Sequence, residues 1–145
     1  MIPVHDDIVE YLEEWSHSSR TADQFRIRVQ CGIVVEDNRP EPDIAWLRPT
    51  RRRAQRPTAA DICLLIEVAD RSLIDDLRTK ADLYAACGVV EVWIVHVPNR
   101  RIHVMAKPVD GLYQDIRIVT HGQELSPICH ASARLDTADL FSFEP

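Results

Sequence analysis

Two nearly unbroken apolar runs, Ile62–Val68 and Val89–Val97, stand on either side of a segment with helical spacing, Leu73–Gly88. Strands that are apolar at almost every position are covered on both faces, so both runs predict central strands of a sheet. The segment between them predicts a helix that packs on that sheet. Gly88 stands just past its end, and Asp70 or Ser72 could cap its start. At about 100° per residue, Leu73, Leu77, Lys80 and Tyr84 fall within a narrow arc of the helix. Lys80 is therefore expected at the centre of the buried side. A buried ammonium is costly unless an anion faces it. The preceding apolar run carries one acid, Glu67.

The rest of the chain arranges itself around this unit. Val4, Ile8, Tyr11, Leu12 and Trp15 recur at three- and four-residue steps and predict a helix over Val4–His17. Phe25, Ile27, Val29 and Cys31 alternate with polar residues, as in a strand with one buried face, and Ile33–Val35 extends the run. Pro42–Leu47 predicts a second strand, Ile102–Met105 and Leu112–Thr120 two more, and Thr137–Leu140 a short terminal helix. This order of elements predicts an α/β domain, with a central mixed sheet flanked by helices. The strands after Pro42 and before Val68 are expected to pair as neighbours.

A chain of 145 residues fits one domain. The net charge of -6 excludes a general polycation, so a nucleic-acid partner needs a local basic patch. Arg48, Arg51, Arg52, Arg53 and Arg56 supply one, in a loop between prolines. They could clamp a phosphate backbone or simply form a solvated loop. No apolar run has transmembrane length and the N-terminus lacks the pattern of a signal peptide, which points to the cytoplasm. Four cysteines without a Cys-x-x-Cys pair argue against structural zinc; Cys31, Cys63 and Cys87 read as core thiols. His5 opens the first helix, and single histidines usually have structural or surface explanations. Trp46 and Trp93 read as core rather than as base-stacking platforms.

Asp43, Glu67 and Lys80 are the residues that carry chemistry. If the strands pair, the two carboxylates converge at one end of the sheet and repel each other unless a cation or a proton joins them. An oxygen-only ligand set suits Mg²⁺ or Mn²⁺. Such an ion polarises a phosphoryl oxygen and acidifies bound water, with Lys80 holding the water or stabilising phosphate charge. The main-chain carbonyl of Val68 could add a ligand. Each residue also has a plainer explanation: Asp76 could pair with Lys80 along the helix, Glu67 could reach solvent, and Asp43 after proline could belong to a turn.

The block Glu67-Val68-Ala69-Asp70-Arg71-Ser72-Leu73, followed by Asp76, Lys80, Leu83-Tyr84-Ala85 and Gly88-Val89-Val90-Glu91-Val92-Trp93-Ile94-Val95, resembles the Uma-type restriction-endonuclease family of bacteria. That family belongs to the PD-(D/E)XK nuclease superfamily, in a branch whose lysine has moved from the strand to the following helix. Pro42-Asp43 matches its Pro-Asp element. Asn99-Arg100-Arg101-Ile102, Gly111-Leu112-Tyr113 and Asp139-Leu140-Phe141 match later landmarks, so the similarity runs from about His5 to Phe141. The resemblance implies a restriction-endonuclease-like fold and Mg²⁺- or Mn²⁺-dependent hydrolysis of DNA. Asp43, Glu67 and the Val68 carbonyl would be the metal ligands, Asp43, Glu67 and Lys80 the catalytic set, and a homodimer the form that cuts both strands. The family's further N-terminal segment, ahead of the histidine matched by His5, is not in this sequence. His96 stands where an aspartate is usual, and Arg71 and Asp75 also depart from the pattern. A non-catalytic module of the same fold, binding nucleic acid or protein, is the rival expectation.

Overall fold

The computed structural model describes residues 3–49, 55–70 and 74–143, with side chains described from residue 77 onward in the second helix. The first element is helix α1 (Val4–Ser18), followed by strands β1 (Arg26–Val29), β2 (Ile44–Leu47) and β3 (Ile62–Ala69). Helix α2 (Ile74–Ala86) then leads into β4 (Glu91–His96), β5 (Arg101–Val109) and β6 (Leu112–Thr120). A small ribbon of β7 (Glu124–Leu125) and β8 (Leu135–Asp136) and the short helix α3 (Thr137–Leu140) close the chain.

The six long strands form one sheet in sequence order, β1-β2-β3-β4-β5-β6. Every pairing is antiparallel except β3 with β4, which is parallel because α2 carries the chain back across the sheet between them. This is the α/β architecture with a central mixed sheet that the element order implied. The apolar runs explain the centre: all eight positions of β3 and all six of β4 are buried. One face packs Trp46, Trp93 and Val95 against Ile8, Val9 and Leu12 of α1 and Leu140 and Phe141 at the C-terminus. The other packs Leu65, Val92, Ile94 and Met105 against Ala81, Tyr84 and Ala85 of α2. Trp15 lies against both buried tryptophans, with ring centroids 5.5 and 5.8 Å away. Trp46 and Trp93 are thus core residues, as expected.

Three expectations need correction. Cys31 is exposed rather than buried. The strand stops at Val29, and Gln30 takes a left-handed backbone (φ 51°) while donating its N–H to the Asp43 carbonyl, which turns the chain off the sheet. Ile33–Val35 is not a strand extension. It makes isolated bridges, and buries Ile33 and Val35 beneath the α2 face. Lys80 does not occupy the centre of the buried stripe; its side chain is 34% exposed. Ala81, Tyr84 and Ala85 fill that place. Lys80 lies at its rim, where a long aliphatic stem can cover apolar surface while the ammonium stays near water. The proposed cap at Ser72, the packing of Leu73 and the Asp76–Lys80 pair lie outside the described residues.

Candidate active site

Asp43 and Glu67 meet because of strand register. Ile44 stands opposite Ile66 and Ala45 opposite Leu65. One further step brings Asp43 beside Glu67 on the face covered by α2. The position of Asp43 is fixed by a hydrogen bond: the Val68 N–H donates to its Oδ2 at 2.8 Å. Its other oxygen lies 3.6 Å from His5 Nε2 at the start of α1. Burial pulls the His5 imidazole down, but the acids around it, Asp6, Asp43 and Asp70, outweigh burial and raise it above the ordinary value.

Glu67 is the buried centre of the group, 6% exposed. Lys80 and Tyr84 are four apart on α2 and therefore project from one face of it. Both reach the same carboxylate oxygen. Lys80 Nζ lies 3.2 Å from Glu67 Oε1, and the Tyr84 hydroxyl donates to that oxygen at 2.9 Å. Burial raises the Glu67 carboxyl above the usual carboxylate range; Lys80 and the Tyr84 hydrogen bond pull against this, and the Asp43 charge adds to the rise. Burial and the Glu67 charge push the Tyr84 phenol far upward, so it remains a proton donor.

The structure therefore gathers all three sequence candidates. The residues that sequence reasoning assigned to packing or surface, Tyr84 and His5, prove to be polar partners of the two acids. Spacing held the signal for Tyr84, four residues after Lys80. Nothing local held one for His5, whose contact with Asp43 joins the start of the first helix to the second strand. No group of three or more His, Cys, Asp or Glu side chains clusters for a metal among the described residues. Any ion here would rest on the two acids and main-chain oxygens, an oxygen set of the kind Mg²⁺ and Mn²⁺ accept. Burial is the main cause of the raised Glu67 carboxyl and the Asp43 charge adds to it; a bound cation would relieve that repulsion.

Arg48 of the arginine cluster lies elsewhere. Arg48 follows β2 at the end away from Asp43, and its N–H donates to the Asp61 carbonyl at the start of β3. The four residues of β2 separate it from Asp43, roughly 16 Å along the strand. Arg56 is exposed and lines a cavity with Arg26 and Asp61 near that same end. Arg51, Arg52 and Arg53 lie outside the described residues.

This arrangement can be set beside known proteins. The family model described as "Putative restriction endonuclease" matches residues 3–138. The chain belongs to the Uma2 family. A similar solved structure is the crystal structure of a putative nuclease of DUF820 from Anabaena variabilis ATCC 29413. It has 16% identity and a TM-score of 0.78 over 98% of this chain and 82% of that one. At that identity the likeness establishes the fold, which is restriction-endonuclease-like. No curated protein matches the chain. Among the described residues of this Uma2 member, no helix is long and apolar enough to cross a membrane.

Proposed function

We propose that this protein is a nuclease that hydrolyses phosphodiester bonds of DNA with Mg²⁺ or Mn²⁺. The observation that carries this reading is the convergence of Asp43, Glu67 and Lys80 at one end of the β2–β3 pair, within a fold and family of nucleases. In it, Asp43, Glu67 and the main-chain carbonyl of Val68 hold the divalent ion. When bound, that ion polarises a phosphoryl oxygen and lowers the pKa of a coordinated water.

The remaining steps belong to the chain's own groups. Lys80, at the rim of the helix face and in contact with Glu67, places a positive charge where negative charge develops on the phosphorus-bound oxygens. The Tyr84 hydroxyl holds Glu67 Oε1, so that the carboxylate keeps one orientation. The Val68 N–H does the same for Asp43, leaving the carboxylate's other oxygen toward His5. Arg48 lies too far to grip the phosphate under attack and supports a backbone contact only with a duplex laid along β2.

The test is cleavage of supercoiled and linear DNA with Mg²⁺ or Mn²⁺, beside Asp43→Ala and Lys80→Ala. The expected result is nicking and linearisation by the parent and loss in both variants. Equal activity in all three would reject the assignment of these residues. A folded, metal-free protein that binds DNA without cutting it would support the non-catalytic module. A partner copy that cuts the second strand is part of the same reading, and is tested by whether plasmid is linearised in one binding event.

A further inference from the structure

Beside the acids, on the same face of the sheet, lies a second group of polar side chains that the hydrolytic reading does not use. Register places it. Ala69 stands opposite His96, and His96 opposite Arg101; one row back, Glu67 stands opposite Ile94, and Ile94 opposite His103. His96 and His103 are 5% and 8% exposed, with ring centroids 6.4 Å apart and the rings edge to face. Among the described residues, both ring nitrogens of His96 are buried without a hydrogen-bond partner, and so is Nε of Arg101. Buried nitrogens are rarely left unpaired in native proteins, and those that are call for an unseen water, ion or ligand. The charge around them indicates which. Arg101 acts on His96, while His96, Arg78 of α2 and Arg101 act on His103; all hold the imidazoles toward the neutral form, after burial itself. A metal cation would meet repulsion from two guanidinium groups. An anion would be drawn to them, and its oxygens would accept from Arg101 Nε and from the one His96 nitrogen that carries the proton.

We propose that His96, Arg101 and His103, flanked by Arg78, form a phosphate-binding subsite that takes a backbone phosphate of the nucleic acid beside the cleavage centre. The phosphate chemistry follows from the donors; its source in a nucleic acid rests on the nuclease reading above. Geometry fits that source. His103 lies two strands from Glu67 in the same row, roughly 10 Å away, a few nucleotides along one strand of a duplex. The subsite would position the backbone rather than read its sequence.

The experiment has two arms. In the first, inorganic phosphate is titrated while the imidazole proton and nitrogen resonances are followed by NMR. Saturable shifts of the His96 and His103 signals are expected, weakened severalfold in Arg101→Gln. In the second, the Asp43→Asn protein binds a labelled duplex over a range of salt concentrations. Arg101→Gln is expected to weaken binding uniformly across sequences and lower the slope of log affinity against log salt by about 1. Arg101→Lys, which keeps the charge, should restore the slope. His96→Gln serves as the second variant, and circular dichroism checks the fold of each. Ring signals unmoved by phosphate would assign the buried nitrogens to water and overturn the subsite, even if DNA is cleaved. Ring shifts in a protein that neither binds nor cuts DNA would instead overturn the nuclease reading and the backbone source, leaving a site for free phosphate.

Discussion

Two glutamates are buried in the two central strands of this sheet, and they have little else in common. Glu67 sits near the end of β3 on the α2 face; Glu91 opens β4 and faces Trp93 on its own strand. Burial raises both carboxyls above the usual range. The oxygens of Glu91 are divided between two protein donors: Trp93 Nε1 donates to Oε2 at 3.0 Å, and the Ile128 N–H to Oε1 at 2.9 Å. It ties the C-terminal segment to the sheet. Among the described residues, Glu67 has two donors, both on one oxygen, and a second carboxylate, Asp43, close enough to raise it further. A buried acid is thus no sign of function by itself. Glu67, the acid assigned to the proposed site, stands apart by the second carboxylate beside it on the sheet and the lysine at its rim.

Mutation can break this comparison, and the largest effect should be on activity. Glu67→Gln should lower cleavage by about 10²–10³-fold, the scale of losing one group that supports transition-state charge. Glu91→Ala should leave the cleavage rate of the folded fraction near that of the parent. It should instead lose about 2–4 kcal/mol of stability through a cavity and two orphaned donors. Plasmid cleavage and urea denaturation of both variants decide the matter. A Glu91→Ala protein of parental stability but without activity would reverse the two roles.

Metal should sharpen the contrast next. Mn²⁺ at about 100 times its dissociation constant should stabilise the parent by about 2.7 kcal/mol. Thermal shift should show this in Glu91→Ala and not in Asp43→Asn.

A smaller effect follows from pH. A buried carboxyl with a raised folded-state pKa costs nothing below its unfolded value, and the penalty grows as pH rises through the folded one. Glu67→Gln should therefore be more stable than the parent at pH 8, on the order of 1 kcal/mol. The two should converge near pH 4, and denaturation at both pH values measures the difference.

The smallest effect should come from His5. Its raised folded-state pKa stabilises the protein below the unfolded value near 6.5, and this is lost as pH rises through the folded one. His5→Ala should cost a few tenths of a kcal/mol at pH 6 and less at pH 8, read from the same melts.

Sequence alone determined the central unit. Apolar runs of strand length on either side of a helical period could only be a covered sheet with a helix across it, and the two long strands and α2 follow that pattern. It also marked Asp43, Glu67 and Lys80, because charge inside apolar periodicity is conspicuous. Tertiary structure decided what periodicity cannot encode. Lys80 moved from the stripe's centre to its rim because the end of the sheet, not the helix alone, sets what is covered. Tyr84 and His5 became partners of the acids through contacts between separate elements. Arg48 fell at the far end of β2 from Asp43 because the residues between them form one extended strand. His96, Arg101 and His103 came together only through strand register. Side-chain spacing along one chain is local, whereas which strand lies beside which, and with what offset, is a property of the folded whole.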